Sequence, residues 1–186
     1  MHADVFLMET AEIAQKIDRE SVERMARELQ TVRDIRGRVF VVGVGGSYAN
    51  AEHVACDLRK LCDIEAYAPN TAEMSAWMND AGPDEAFTGH LRTLEITDLL
   101  LVLSVGGGAS TVSKSLMKAV DRAREVGARV CGIVGPNGGY TYEHADTAVR
   151  VPAPAGRVTP HAEAFQAVIW HLLVSHPLLQ RNATKW

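Results

Sequence analysis

The stretch GVGGSYANAEHVACDL, residues 43–58, decides the fold class, because it joins a strand-like run to a helix-like run through a glycine loop. The four residues before it, 39–42, are all apolar, as in a buried strand. Glycines allow a tight turn and leave backbone N–H groups free for an anion, and Ser47 adds a hydroxyl in the first turn of the helix. The loop residues Gly45, Gly46 and Ser47 are therefore predicted to bind a phosphate. A tight turn without a ligand is the alternative for this loop taken alone.

Two reactive side chains follow on the same helix. His53 and Asp57 are four residues apart, so they lie on one face, about 40° apart around the helix axis. A histidine and a carboxylate at this spacing suit acid–base catalysis or metal binding. With the neighbouring loop, the pair indicates chemistry on a phosphorylated small molecule.

A second loop of the same kind follows a later strand. The run LLLVL, residues 99–103, is continuously apolar, which is typical of a buried parallel strand. Ser104 and the glycine-rich residues 105–110 come directly after it. The loops at the carboxyl ends of parallel strands converge on one crevice. Two serine-bearing glycine loops at one crevice favour a phosphate site over an unliganded turn.

The remaining pattern alternates strands with helices, which predicts an α/β fold with a parallel sheet covered on both faces. The predicted strands are 38–42, 64–67, 99–103, 130–134 and 148–152. The predicted helices are 53–61, 71–78, 112–126 and 161–174, after one leader helix or a helix pair within 8–31. Turn residues 79–83 are expected to break the helix before them. The chain reads as one domain, residues 1–186, with a helical leader over 1–35 and a core over 36–176.

Composition narrows the class of protein. The chain has 186 residues, 47% of them apolar, and a net charge of -4, which argues against a general nucleic-acid partner. Its three cysteines lack a disulfide or zinc spacing, and no apolar run is long enough to span a membrane. A cytoplasmic location without membrane contact is expected. The first loop lacks both the dinucleotide fingerprint and the Gly-Lys-Ser/Thr of a P-loop, so no nucleotide cofactor is expected.

Three loops together resemble the sugar isomerase (SIS) domain. They are the Gly-x-Gly-Gly-Ser loop, Ser104 with its glycine loop, and the Gly-x-x-Gly-Gly of residues 135–139. Within that superfamily the chain is most similar to the sedoheptulose 7-phosphate isomerase branch, over nearly its whole length. The resemblance implies a three-layer αβα sandwich with a flavodoxin-like parallel sheet and an extra N-terminal helix. It also implies a homo-oligomer, usually a tetramer with active sites between subunits.

The resemblance assigns binding roles to residues at matching positions. The implied phosphate-binding residues are Gly45, Gly46, Ser47, Ser104, Gly106, Gly107 and Ser110. The second loop lacks two hydroxyls of the family's Ser-Thr-Ser-Gly-Asn-Ser, so its glycine amides and last serine are expected to replace them. Asn79 and Asp80 match an Asn-Asp pair that the branch places near the sugar, and an ordinary turn aspartate is the alternative for Asp80.

The resemblance also implies a chemical centre of four side chains: His53, Asp57, Glu163 and His171. Asp57 stands where the branch has a glutamate, and Glu163 where it has a glutamine. Asp57 would be the general base and His171 the general acid of an aldose–ketose isomerisation through a cis-enediol(ate). The same four groups form a plausible zinc shell, and the two roles compete for Asp57 and His171. The sequence leaves that competition open.

Two other functions remain compatible with this sequence. One is a non-catalytic SIS module that binds a sugar phosphate or docks a partner protein. The other is a related SIS enzyme that acts on a hexulose or an amino-sugar phosphate. Convergence of the four side chains distinguishes an enzyme from a pure binding module, because binding phosphate requires only the two loops.

Overall fold

A computed structural model of the chain describes residues 1–185, which form a five-stranded, all-parallel sheet flanked by helices. The strands are β1 Arg38–Gly43, β2 Glu65–Tyr67, β3 Leu99–Ser104, β4 Arg129–Val134 and β5 Thr147–Arg150. The helices are α1 His2–Lys16, α2 Arg19–Asp34, α3 Gly46–Cys62, α4 Thr71–Ala81, α5 Lys114–Val126, α6 Gly139–His144 and α7 Val158–Val174. Short 3₁₀ turns cover Pro83–Glu85 and Ala155–Arg157. The predicted α/β class with a parallel sheet is confirmed.

Two apolar cores lie on opposite faces of the sheet, because successive strand side chains point to opposite sides. Val39, Val41 and Leu101 face a core that includes residues of α2, α3 and α7. Phe40 and Leu100 face a second core that includes residues of α5 and the segment 86–94. All six residues of the central strand β3 are buried. Burial on both faces explains why the sequence of this strand is a nearly continuous apolar run.

The strand order β2-β1-β3-β4-β5 makes β1 and β3 neighbours, so the two glycine loops leave adjacent strands. The chain leaves β1 for β2 on one side and then returns to β3 on the other side of β1. In the register of β1 and β3, Gly43 pairs with Leu103, so both strands end at the same level. Ligands of open α/β sheets bind at such a switch point, outside the carboxyl ends of the strands.

Several element boundaries differ from the sequence predictions. The leader is a helix pair: α1 ends at Lys16, where Ile17 leaves the helical conformation, and Asp18 caps α2 by accepting from the N–H groups of Glu20 and Ser21. Helix α4 continues through residues 79–81, where a turn was predicted, and stops at Gly82, whose φ of 101° breaks the helix. The short helix α6 was not predicted. None of the helices within residues 1–185 is long and apolar enough to cross a membrane.

Helix α5 begins two residues later than predicted. Ala109 and Val112 exchange two backbone hydrogen bonds, at 2.9 and 3.2 Å, so residues 109–112 form a closed turn before the helix. The second glycine loop is correspondingly longer than the sequence pattern indicated.

Helix α1 is fastened to the start of α7 by an ion-pair cluster. Glu9 accepts hydrogen bonds from Arg157 Nε at 2.7 Å and pairs with His161 Nε2 at 2.9 Å. Phe6 stacks on the buried His161 ring at 4.2 Å between centroids. The Arg157 guanidinium, followed by the His161 hydrogen bond, lowers the pKa of Glu9 to about 2.

We expect this cluster to make stability depend on pH. Glu9 stabilises the fold while it is ionised, so its contribution is complete above its ordinary pKa near 4.5 and is lost as the pH falls towards 2. The difference in unfolding free energy between the native chain and Glu9→Gln should therefore be constant from pH 7 to 5 and shrink between pH 4.5 and 2.5. Urea unfolding across this range measures it.

The exposed Glu12 on the same helix provides the control. Glu12→Gln removes the same charge without touching Arg157 or His161. A Glu9→Gln difference that stays constant down to pH 2.5 would contradict the assigned role.

Candidate functional site

The first glycine loop is built by β1 and the first turn of α3. Gly45 has a φ of 64° and precedes the helix, and Gly45 and Gly46 are both exposed. Ser47 is buried, and its Oγ accepts a hydrogen bond from Gln166 Nε2 at 3.0 Å. Gln166 Oε1 in turn accepts from Asn50 Nδ2 at 3.0 Å. A buried polar chain therefore fastens α7 to the loop that was predicted to bind phosphate.

The second loop is fixed by its own hydrogen bonds. Ser104 Oγ accepts from the Gly107 N–H at 2.9 Å, and the Gly107 carbonyl accepts from the Thr141 hydroxyl at 2.7 Å. The expectation of a free Gly107 amide is corrected here, because Ser104 already uses that donor. Ser104 keeps its own O–H for a ligand. Gly106 and Ser110 are exposed, Ser110 on the turn formed by residues 109–112.

Three of the four predicted reactive side chains converge between α3 and α7. His53, Asp57 and His171 each offer a ligand atom, and these atoms all lie within 4.8 Å of one another. His53 Nε2 lies 3.7 Å from Asp57 Oδ2, and the His53 and His171 rings are 5.6 Å apart between centroids. His171 Nδ1 contacts the Ala167 carbonyl oxygen at 2.8 Å, which leaves Nε2 available for chemistry.

Trp170 packs against both histidines of this cluster. Its centroid lies 4.5 Å from that of His53 and 3.4 Å from that of His171, and only 1% of Trp170 is exposed. The indole therefore restricts the orientation of both imidazole rings from the apolar side.

The fourth predicted member, Glu163, lies elsewhere. Its carboxylate contacts Gly46: a Cβ built on that glycine would lie 2.5 Å from Glu163 Oε2. Eight residues separate Glu163 from His171, about 12 Å along the helix axis, so each is level with a different turn of α3. The expected four-residue shell is corrected to a three-residue cluster.

Asn79 and Asp80 lie in the last turn of α4 and are exposed. Asn79 Nδ2 donates to Asp80 Oδ1 at 2.8 Å. They belong to a helix in which no residue is buried, so the described chain leaves this surface open.

The three-residue cluster fits a divalent metal such as zinc. Two imidazole nitrogens and a carboxylate oxygen are ordinary zinc donors, and three protein ligands with one open position are typical of catalytic zinc sites. Zn–N and Zn–O bonds of about 2.0–2.2 Å place neighbouring donors roughly 3.3–3.5 Å apart in a tetrahedron. The 3.7 Å between His53 and Asp57 is close to that spacing.

The parallel sheet with two serine-bearing glycine loops on adjacent strands has the fold of solved phosphoheptose isomerases. A phosphoheptose isomerase of Neisseria gonorrhoeae has the same fold, with a TM-score of 0.82 over 93% of this chain and 96% of that chain at 24% identity. No protein-family model matches the chain.

Sequence relatives identify the family. A phosphoheptose isomerase of Rhodospirillum rubrum is 33% identical over 145 residues, 74% of this chain and 73% of the relative. One of Syntrophotalea carbinolica is 27% identical over 178 residues, 90% of this chain and 87% of the relative. The chain belongs to the phosphoheptose isomerase family.

Sequence reasoning missed the residues that assemble the site. Gln166 and Asn50 were not singled out. The available signal was the position of Gln166, a polar residue three positions after Glu163 and directly after Phe165 on the predicted helix. A polar side chain on a buried face requires a polar partner.

Replacing Gln166 should destabilise the protein while leaving the sheet intact. Gln166→Leu removes the hydrogen-bond donor to the Ser47 hydroxyl and one of the two acceptors of the Asn50 amide, and we expect a loss of about 2 kcal/mol in unfolding free energy. Urea denaturation measures the loss. Gln15→Leu, on the exposed face of α1, should change stability by less than about 0.5 kcal/mol. Equal effects from the two variants would show that the polar chain does not hold α7 in place.

Proposed function

We propose that this chain is an aldose–ketose isomerase that converts sedoheptulose 7-phosphate into a heptose 7-phosphate. The observation that carries the proposal is the convergence of His53, Asp57 and His171. A module that only bound sugar phosphates would need the two glycine loops and no such cluster. The named relatives support the phosphoheptose as the substrate.

Binding would use the two loops. Gly45, Gly46 and Ser47 would contact the phosphate from one side of the crevice, with Ser104 donating its free O–H from the other. Gly106, an exposed glycine of the second loop, would add a backbone amide. Ser110 would reach the ligand from the turn.

The chemistry would move one proton between adjacent carbons. The Asp57 carboxylate removes a proton from C1 of the ketose, giving a cis-enediolate, and returns it to C2. His171 Nε2 donates a proton to O2 and accepts the proton of O1, so that the aldehyde forms at C1. The Ala167 carbonyl fixes the other ring nitrogen and therefore the orientation of Nε2.

The same residues could instead hold zinc. His53, Asp57 and His171 would be its ligands, and the bound ion supplies a Lewis acid that polarises the carbonyl and stabilises the enediolate. Asp57 and His171 cannot be zinc ligands and proton carriers in the same step. Whether the isomerisation rate depends on a metal distinguishes metal binding from proton transfer by these residues.

We further infer a cytoplasmic homo-oligomer, with a tetramer as the expected form. Helix α4 has no buried residue, and Met78 on it is an exposed apolar side chain. A second copy covering α4 would bring Asn79 and Asp80 into an intersubunit site, which agrees with their expected place near the sugar.

Turnover with defined metal content tests this function. Purified protein is incubated with sedoheptulose 7-phosphate as isolated, after chelation and after zinc addition, and the aldose signal is followed by NMR. We expect heptose 7-phosphate to form, faster than from hexulose or amino-sugar phosphates. A rate that is lost on chelation and restored by zinc would assign the cluster to metal binding.

A rate insensitive to chelation would assign Asp57 and His171 to proton transfer. If no ketose phosphate is isomerised with or without zinc, the enzymatic proposal is wrong, and the chain is a sugar-phosphate-binding or partner-docking module.

A further inference from the structure

Glu163 places a negative charge directly on the first glycine loop. A Cβ on Gly46 would lie 2.5 and 2.8 Å from its two carboxylate oxygens, so the carboxylate packs directly against the backbone of this glycine. Helix α3 has no acidic residue in its own first turn and no side-chain cap. The negative charge beside the first turn of α3 therefore belongs to Glu163 of the neighbouring helix α7.

The backbone that carries Glu163 is fixed at this position. Asn50 Nδ2 donates to the Glu163 carbonyl oxygen at 3.0 Å and also to Gln166 Oε1 at 3.0 Å. Gln166 then donates to Ser47 in the loop itself. The Glu163 side chain is half-buried, so water screens its charge only in part. Rotation of the side chain is the one movement that removes the carboxylate from the loop.

A phosphate and this carboxylate compete for the same loop. A phosphate monoester carries nearly two negative charges at neutral pH. Two like charges near a protein surface repel each other, so the ionised carboxylate disfavours a phosphate bound to the same loop. We propose that Glu163 controls the phosphate affinity of the first loop: its carboxylate opposes phosphate binding there until it rotates away. This role rests on the proposed function, because it concerns the phosphate of the same substrate.

Glu163→Gln tests the role, since it keeps the shape of the side chain and removes its charge. We expect the dissociation constant for inorganic phosphate, measured by calorimetry at pH 7.5, to fall about 10-fold relative to the native chain. Glu20→Gln, at an exposed carboxylate on α2, is the control for net charge and should leave the constant unchanged.

A second substitution shows which loop is responsible for the increase in phosphate affinity. Ser47→Ala in the Glu163→Gln background should cancel most of it, because Ser47 belongs to the first loop. Ser104→Ala, made both in the native chain and in Glu163→Gln, should lower the affinity of each protein but preserve the ratio of their dissociation constants.

Each outcome addresses one of the two proposals. Unchanged or weaker phosphate binding by Glu163→Gln, or no measurable binding by either protein, would overturn the role of Glu163, even if the native chain isomerises a ketose phosphate. Tighter binding by Glu163→Gln, with no ketose phosphate isomerised by the native chain, would support the role of Glu163 and overturn the isomerase.

Discussion

The hydrogen-bonded chain from Asn50 through Gln166 to Ser47 is the interaction on which the rest of the site depends. It lies between α3 and α7, two helices that are distant in sequence and side by side in space. Because Gln166 is buried, the chain specifies one axial alignment of the two helices rather than a range of sliding positions. That alignment sets which residues of α7 meet which residues of α3.

Two polar centres follow from this alignment. At the start of α3, Glu163 meets Gly46 in the first loop. Two turns further along, His171 meets His53 and Asp57. The contact between α3 and α7 therefore places Glu163 beside the first glycine loop. The same contact brings together the three side chains that can act as acid, base or metal ligands. A substrate with a phosphate at one end and a reactive carbonyl at the other matches that separation of roles.

Much of the fold was predictable from the sequence, because local signals and tertiary requirements agree in the sheet. The apolar run 99–103 and the glycine loops indicated buried parallel strands, and the structure has them. The extent of α4 was not predictable from turn propensity, since Asn79 and Asp80 are tolerated in a last helical turn and Gly82 supplies the stop. The turn before α5 depends on backbone bonds between Ala109 and Val112, which no sequence pattern marked.

The sequence predicted which site residues share a face of one helix. It did not predict which residues of two different helices lie at the same level. His53 and Asp57 share a face of α3 by helical geometry alone. Placing Glu163 required knowing its level on α7 relative to α3, which depends on the buried contacts of Gln166. Family resemblance brought four residues together, and the packing of this chain brings together three of them.

Asp57 provides the most direct test of whether the cluster between α3 and α7 is the chemical centre. Asp57→Asn keeps the size of the side chain but removes the carboxylate, as proton acceptor or metal ligand, so the rate of aldose formation from sedoheptulose 7-phosphate should fall at least about 100-fold. Asp63→Asn, at the exposed end of the same helix, should keep the native rate. An Asp57→Asn protein that folds and retains the native rate would show that the cluster is not the chemical centre.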